Sequence, residues 1–283
     1  MTLIQKIDFV LTPPHGRAFR VDARFIPDQQ AKPVVIFVHG FKGFKDWGHF
    51  NLIADYFAQQ GFVFIKLNLS HNGTTLDSED LTDMEAFGQN NFSIELDDLD
   101  TLLNYLFSLP ENLPKAELNL DKVSLIGHSR GGGLVILKAA EEERVKAVVG
   151  WAPISDLLMR WPEEVLTNWQ KTGVHYIYNS RINQDMPLYY QLVEDFKANQ
   201  ERLDIPAVVK NLKKPFLIIH AEDDETLPVS MADELKANQP QAEVIILPAG
   251  GHTFGGKHPF PDTNLPPSAQ TVAERTVEFL KKL

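Results

Sequence analysis

Val123-Ser124-Leu125-Ile126-Gly127-His128-Ser129-Arg130-Gly131-Gly132-Gly133 is an apolar run that ends abruptly in small residues around one serine. It reads as a strand, a tight turn and the start of a helix. Gly127 and Gly131 are spaced as Gly-x-Ser-x-Gly, where glycines leave room for a sharp turn that holds a serine side chain above the strand end. Ser129 is then expected to be a nucleophile. So short a pattern also arises by chance, and its meaning depends on whether the chain supplies a base, an acid and an oxyanion site.

Working outward, residues 34–38 (Val-Val-Ile-Phe-Val) form a continuous β-branched run of the kind buried on both faces of a sheet. This central strand runs into His39-Gly40-Phe41-Lys42-Gly43. A helix over 47–60 follows, with Phe50, Ile53, Ala54 and Phe57 at helical spacing and Gly61 as its stop. Residues 62–67 predict a second buried strand, and the polar stretch 68–91 reads as a loop. Leu96, Leu99, Leu102, Leu103 and Leu106 predict an amphipathic helix over 94–109, with Glu95, Asp97 and Asp98 in its first turn. Beyond the opening stretch lie a helix to about residue 142 and a strand over 145–151. Alternating strands and helices imply a mostly parallel sheet with helices on both faces, a fold of the α/β class. At the N-terminus, 4–11 and 18–26 favour β structure around Thr12-Pro13-Pro14-His15-Gly16, as a hairpin at the sheet edge.

The rhythm breaks after Ala152-Pro153. Residues 154–206 read as a cap inserted within a single domain spanning 1–283, with a helix over 163–171, a short strand over 174–178 and a helix over 191–199. The cap is rich in aromatic residues: Trp161, Trp169, Tyr176, Tyr178, Tyr189, Tyr190 and Phe196. Strands over 216–220 and 243–247 and helices over 230–237 and 268–282 complete the chain.

With 283 residues, 43% of them hydrophobic, the chain can build one large domain. Its formal net charge of −11 repels phosphate backbones and anionic lipid surfaces, so neither nucleic acid nor membrane is an expected partner. Cysteine is absent, which excludes disulfides, thiolate metal sites and a cysteine nucleophile. The N-terminus lacks a basic stretch followed by a long apolar segment, and no run of about 18 apolar residues occurs. The expectation is a soluble, cytoplasmic protein; the oligomeric state is left open.

A serine hydroxyl is a poor nucleophile, and acyl transfer needs a base for its proton, a group to orient that base and donors for the developing oxyanion. In doubly wound sheets these groups fall just after strand ends. Phe41, Ser129, Asp224 and His252 occupy such places, and the order Ser, Asp, His is that of α/β-hydrolases.

The motifs His39-Gly40-Phe41, Gly127-His128-Ser129-Arg130-Gly131, His220-Ala221-Glu222-Asp223-Asp224-Glu225-Thr226-Leu227-Pro228 and Gly251-His252-Thr253-Phe254 together resemble the α/β-hydrolases. The likeness is greatest to dienelactone-hydrolase-like and prolyl-oligopeptidase-like esterases with a small cap, including cinnamoyl and feruloyl esterases. The resemblance implies an α/β-hydrolase fold and a serine carboxylesterase acting on small to medium, partly apolar or aromatic esters through an acyl-enzyme. It makes Ser129 the nucleophile, His252 the general base and later acid, and Asp224 the residue holding His252. The backbone N–H groups of Phe41 and Arg130 would form the oxyanion hole. No cofactor is implied, and the partner is a small-molecule ester. Dienelactone hydrolases proper carry cysteine at the elbow, so an ester is the better expected substrate than a lactone. Two other readings share the scaffold: an acyl-peptide or thioester hydrolase, and a catalytically silent binding protein.

Each residue also has a plainer reading. Ser129 could cap the following helix, Asp223 competes with Asp224, and His252 could be an ordinary loop histidine. His39 and His128 are expected to support their turns, and the other histidines show no spacing that assembles a metal site. The Arg130 side chain is expected to pair with a carboxylate. Among the cap aromatics, Trp161, Trp169, Tyr176 and Tyr189 are the candidates to line the substrate pocket, with two or three of the seven expected to face substrate and most to form the cap's own core. Arg160 and Arg181 could clamp a substrate carboxylate, but exposed arginines seldom do anything so specific.

Overall fold

The structure, a computed structural model, describes residues 3–158 and 161–283. β1 (Gln5–Leu11) and β2 (Phe19–Phe25) form the edge hairpin, Gln5 paired with Phe25. Then come β3 (Lys32–Val38), α1 (Phe50–Gln59), β4 (Val63–Leu67), α2 (Met84–Gly88) and α3 (Phe92–Phe107). The centre holds β5 (Leu118–His128), α4 (Arg130–Glu141) and β6 (Val145–Trp151). Between β6 and the next sheet strand lie α5 (Glu163–Thr172), β7 (Val174–Asn179), β8 (Gln184–Tyr189), α6 (Gln191–Ala198), α7 (Gln200–Leu203) and α8 (Ile205–Lys210). β9 (Phe216–Ala221), α9 (Ser230–Asn238), β10 (Glu243–Leu247) and α10 (Pro267–Leu280) finish the chain.

Among the described residues the main sheet has eight strands in the order β1-β2-β4-β3-β5-β6-β9-β10. β2 is antiparallel to both its neighbours, and every pair from β4 onward is parallel. Side chains alternate across a strand, so β3 sends Val34, Ile36 and Val38 to one face and Val35 and Phe37 to the other. The first face packs on α3, α4, α8 and α9, the second on α1 and α10. Burial on both sides explains why these strands read as unbroken apolar runs.

Two expectations change. The polar stretch 68–91 contains α2, a five-residue helix whose N-cap is Asp83, the carboxylate accepting from the Ala86 N–H at 3.0 Å. In α3, Glu95 and Asp98 are buried in tertiary contacts instead of simply facing the helix dipole from solvent. Asp98 accepts from the Ser70 N–H at 2.7 Å and meets His15 at 3.1 Å.

Charges are also buried where β2 and β4 pass beneath the loop after β3. Asp22 of β2 meets both Lys45 and Lys66 at 3.1 Å, and Asp46 pairs with the same two lysines. Lys45 and Lys66 are fully buried, so removing one carboxylate would strand a cation in a low-dielectric site. This network fixes the base of the loop that carries Phe41.

Candidate active site

β5 ends at His128 and α4 begins at Arg130, leaving Ser129 alone to redirect the chain at φ 57° and ψ −121°. A residue with a Cβ disfavours this region, and only its surroundings keep it there. The Ser129 N–H donates to the Trp151 carbonyl at 2.9 Å, and its carbonyl accepts from Gly132 at 2.9 Å and Ile154 at 3.3 Å. A Cβ on Gly127 would stand 2.1 Å from the Gly131 carbonyl oxygen, and one on Gly131 would stand 2.4 Å from that of Val38. Both positions therefore need glycine for close approach. The Ser129 side chain makes no cap hydrogen bond to α4, which rules out the helix-cap reading.

The loops after β9 and β10 bring a carboxylate and an imidazole together. Asp224 Oδ2 lies 2.8 Å from His252 Nδ1 and 3.2 Å from His220 Nε2, while Oδ1 accepts from the N–H groups of Thr226 at 2.8 Å and Leu227 at 2.9 Å. Burial alone would raise this carboxyl, but the bonds from His220, His252 and Leu227 hold it well below the usual carboxylate range. Ionised Asp224 can only accept, so His252 Nδ1 donates, which in the neutral imidazole leaves the lone pair on Nε2. The rival Asp223 accepts instead from the Gly251 N–H at 2.8 Å, on the turn that carries His252.

Two further histidines serve as supports. His39 is buried and pushed down to about 4, chiefly by burial. Neutral, it bridges the Gly40 carbonyl, 2.9 Å from Nδ1, and the Leu69 N–H, 3.1 Å from Nε2. His128, pushed down to about 3 by burial and then by His252, donates from Nε2 to the His252 carbonyl at 2.8 Å.

The Gly43 N–H donates to the Gly40 carbonyl at 3.0 Å, closing a turn with Phe41 and Lys42 at its corners. Arg130 opens α4, where a backbone N–H has no acceptor within its own helix. Its guanidinium is buried, paired with Glu95 at 3.0 Å and packed 5.3 Å from the Phe41 ring and 4.6 Å from that of Phe92. Burial pushes Glu95 upward against the opposing pull of Arg130.

Ser129 and Phe41 stand between two cavities. One, of about 230 Å³, is lined by both and by Lys42, Trp47, Arg181 and His252. The other, of about 50 Å³, is more apolar, with Phe92, Ile154, Leu157, Trp161, Leu227 and Met231 in its wall. Of the four cap candidates, Trp161 alone lines either cavity. Trp169 is fully buried against Trp161, His175 and Tyr190 as the centre of the inserted segment. Tyr176 is 58% exposed. Tyr189 turns away to donate to Glu85 at 2.6 Å, its ring against Gly88.

Arg181, expected to be an ordinary exposed arginine, is half-buried in the larger cavity, and Arg160 lies outside the described residues. Lys42 and Trp47 were missed as lining residues, although their position just after the Gly40-Phe41 turn was a usable signal. Nothing local marked Leu157 or Met231. Among the described residues no group of three or more His, Asp or Glu side chains is arranged to hold a metal, and no helix is long and apolar enough to cross a membrane.

The sheet order, the elbow after β5 and the Asp–His pair after β9 and β10 are those of an α/β hydrolase. The family model of the dienelactone hydrolase family matches residues 21–283, and the chain belongs to that family of hydrolases. No curated protein matches the sequence. Among solved structures, Est1E from Butyrivibrio proteoclasticus is similar with a TM-score of 0.68 and 16% identity, over 97% of this chain and 98% of that one. The esterase domain of a Rhodothermus marinus protein has a TM-score of 0.66 at 18% identity, over 98% of each chain. A dienelactone hydrolase from Anabaena variabilis also has a TM-score of 0.66 at 18% identity, over 99% of this chain and 98% of that one. A further structure of Est1E holds ferulic acid.

Proposed function

We propose that this chain is a serine carboxylesterase that cleaves small to medium, partly apolar or aromatic esters through an acyl-enzyme. The observation that carries the reading is the 2.8 Å contact of Asp224 with His252, whose ring lines one cavity with a serine held at positive φ. His252 Nε2 takes the Ser129 proton as Oγ attacks the ester carbonyl, and a tetrahedral oxyanion forms. Asp224 holds the tautomer and balances the imidazolium. The N–H groups of Phe41 and Arg130 stabilise the oxyanion, and His252 returns its proton to the departing alkoxide. Water, deprotonated by His252, then attacks the acyl-enzyme and releases the acid and Ser129. The apolar cavity beside Trp161 receives one arm of the ester, consistent with the ferulic acid held by Est1E. A net charge of −11 argues against nucleic acid or anionic lipid as partner, and a chain without cysteine suits the reducing cytoplasm, where we place it.

Turnover of a p-nitrophenyl ester series, from acetate to aryl-acyl chains, tests the reading. The unaltered protein should hydrolyse several members, and Ser129→Ala should lose about 10⁴-fold or more in kcat. Failure on every ester, or full activity in Ser129→Ala, would overturn it.

A further inference from the structure

Arg181 sits at the tip of the β7–β8 hairpin, far along the chain from Phe41, yet the two line the same cavity. Its guanidinium donates from Nη2 to the Lys42 carbonyl at 2.9 Å and stacks 5.5 Å over the Phe44 ring. No carboxylate pairs with it among the described residues, and burial alone depresses its pKa. A half-buried cation that spends its hydrogen bond on a backbone carbonyl serves that segment of backbone.

The segment needs support. Lys42 has φ 58°, at the third position of the turn closed between Gly40 and Gly43, where glycine or asparagine is the favoured residue. Left to its own preference, a lysine there would return to negative φ and rotate the adjoining peptides. Asn72 donates to the Gly43 carbonyl at 3.2 Å, so the second half of the turn is pinned from the loop after β4, whereas the Lys42 carbonyl is held from the inserted segment. Arg181 itself is preorganised. Its N–H donates to Asn179 Oδ1 at 3.1 Å, and Tyr178 donates to Asn183 Oδ1 at 2.7 Å across the tip. The hairpin rests on α2 through the Tyr189–Glu85 bond of 2.6 Å, and α6, which follows it, is tied to Asn90 by Gln191 at 2.8 Å and to α3 by the Ser93–Asp195 bond of 2.6 Å.

We infer that Arg181 is a positioning residue: by holding the Lys42 carbonyl it keeps the 40–43 turn in the conformation that aims the Phe41 N–H at the developing oxyanion. The inserted hairpin is thereby part of the catalytic apparatus as well as a wall of the substrate cavity. The inference rests on the proposed esterase chemistry and predicts a cost even for substrates too small to reach the hairpin.

The test compares the unaltered enzyme with Arg181→Met and Arg181→Lys on p-nitrophenyl acetate. Rates are normalised to serine sites titrated by a fluorophosphonate, so that a loss of folded protein does not count as a loss of rate. Removing one oxyanion donor outright costs about 10²–10³ in kcat, so mispositioning one should cost Arg181→Met about 10–100-fold, with KM within about twofold. Arg181→Lys, which keeps charge and a donor but loses the planar stack on Phe44, should fall between the two. An unchanged kcat per titrated site on acetate in Arg181→Met would overturn the inference. So would a loss confined to carboxylate-bearing esters, which would make Arg181 a reader of substrate charge. An unaltered protein that neither labels nor turns over any ester would instead remove the esterase reading itself.

Discussion

The elbow around Ser129 and the segment between β6 and β9 meet at one cavity, but they are built in opposite ways. The elbow is set by backbone contact: Gly127 and Gly131 lie so close to neighbouring carbonyls that no side chain is admissible there, and Ser129 between them takes one strained torsion. The inserted segment is set by side chains. A central Trp169 holds Trp161 in place, and polar bonds from Tyr189, Gln191 and Asp195 seat it on α2 and α3. Backbone constraint leaves its mark in a short motif, whereas side-chain packing spreads its mark over residues distant in sequence. On the proposed chemistry the first holds the nucleophile, and the second presents the substrate and, through Arg181, steadies the turn that carries Phe41.

If that division holds, substitutions should sort by region. After loss of the nucleophile itself, the largest effect belongs to the Asp–His pair. Asp224→Asn should lower kcat by up to about 10⁴-fold, because an amide in place of the carboxylate no longer selects the productive His252 tautomer. Asp223→Asn, which replaces a carboxylate that accepts from the turn N–H of Gly251 and not from His252, should stay within about tenfold of the unaltered enzyme. Steady-state kinetics on acetate esters separates the two, and equal losses would break the assignment. Within the inserted segment, Trp169→Ala should lower unfolding stability by about 3–5 kcal/mol, read by urea denaturation, because a fully buried indole leaves a cavity. Trp161→Ala should be milder and of another kind, shifting preference between long and short acyl chains by about tenfold while sparing acetate. A uniform fall across all acyl chains in Trp161→Ala would mean that this residue supports the fold and not the pocket.

Much of this was legible in the sequence, for identifiable reasons. The parallel strands announce themselves because burial on both faces demands unbroken apolar runs, as at Val34–Val38 within β3 and residues 216–219 within β9. The elbow does so because its glycines answer to steric contact that no other residue satisfies. What escaped is tertiary. α2 is five residues long and hides in a polar stretch, and β8 carries Pro187, which disguises a strand. Glu95 reads as a first-turn carboxylate until Arg130, 35 residues on, is seen to pair with it in the interior. The aromatic residues of the insertion look alike in the sequence, yet Trp169 is core, Trp161 faces a cavity, Tyr176 faces solvent and Tyr189 pairs with Glu85. Their roles follow from which neighbours the fold brings near, and no local pattern encodes that.

The central claim, that Ser129 is an activated nucleophile, is met most directly by mass spectrometry after exposure to a fluorophosphonate. The account predicts one covalent adduct per chain, mapped to the peptide containing Ser129 and absent from a folded Ser129→Ala protein. No adduct on the unaltered protein, or an adduct that persists in Ser129→Ala, would contradict it.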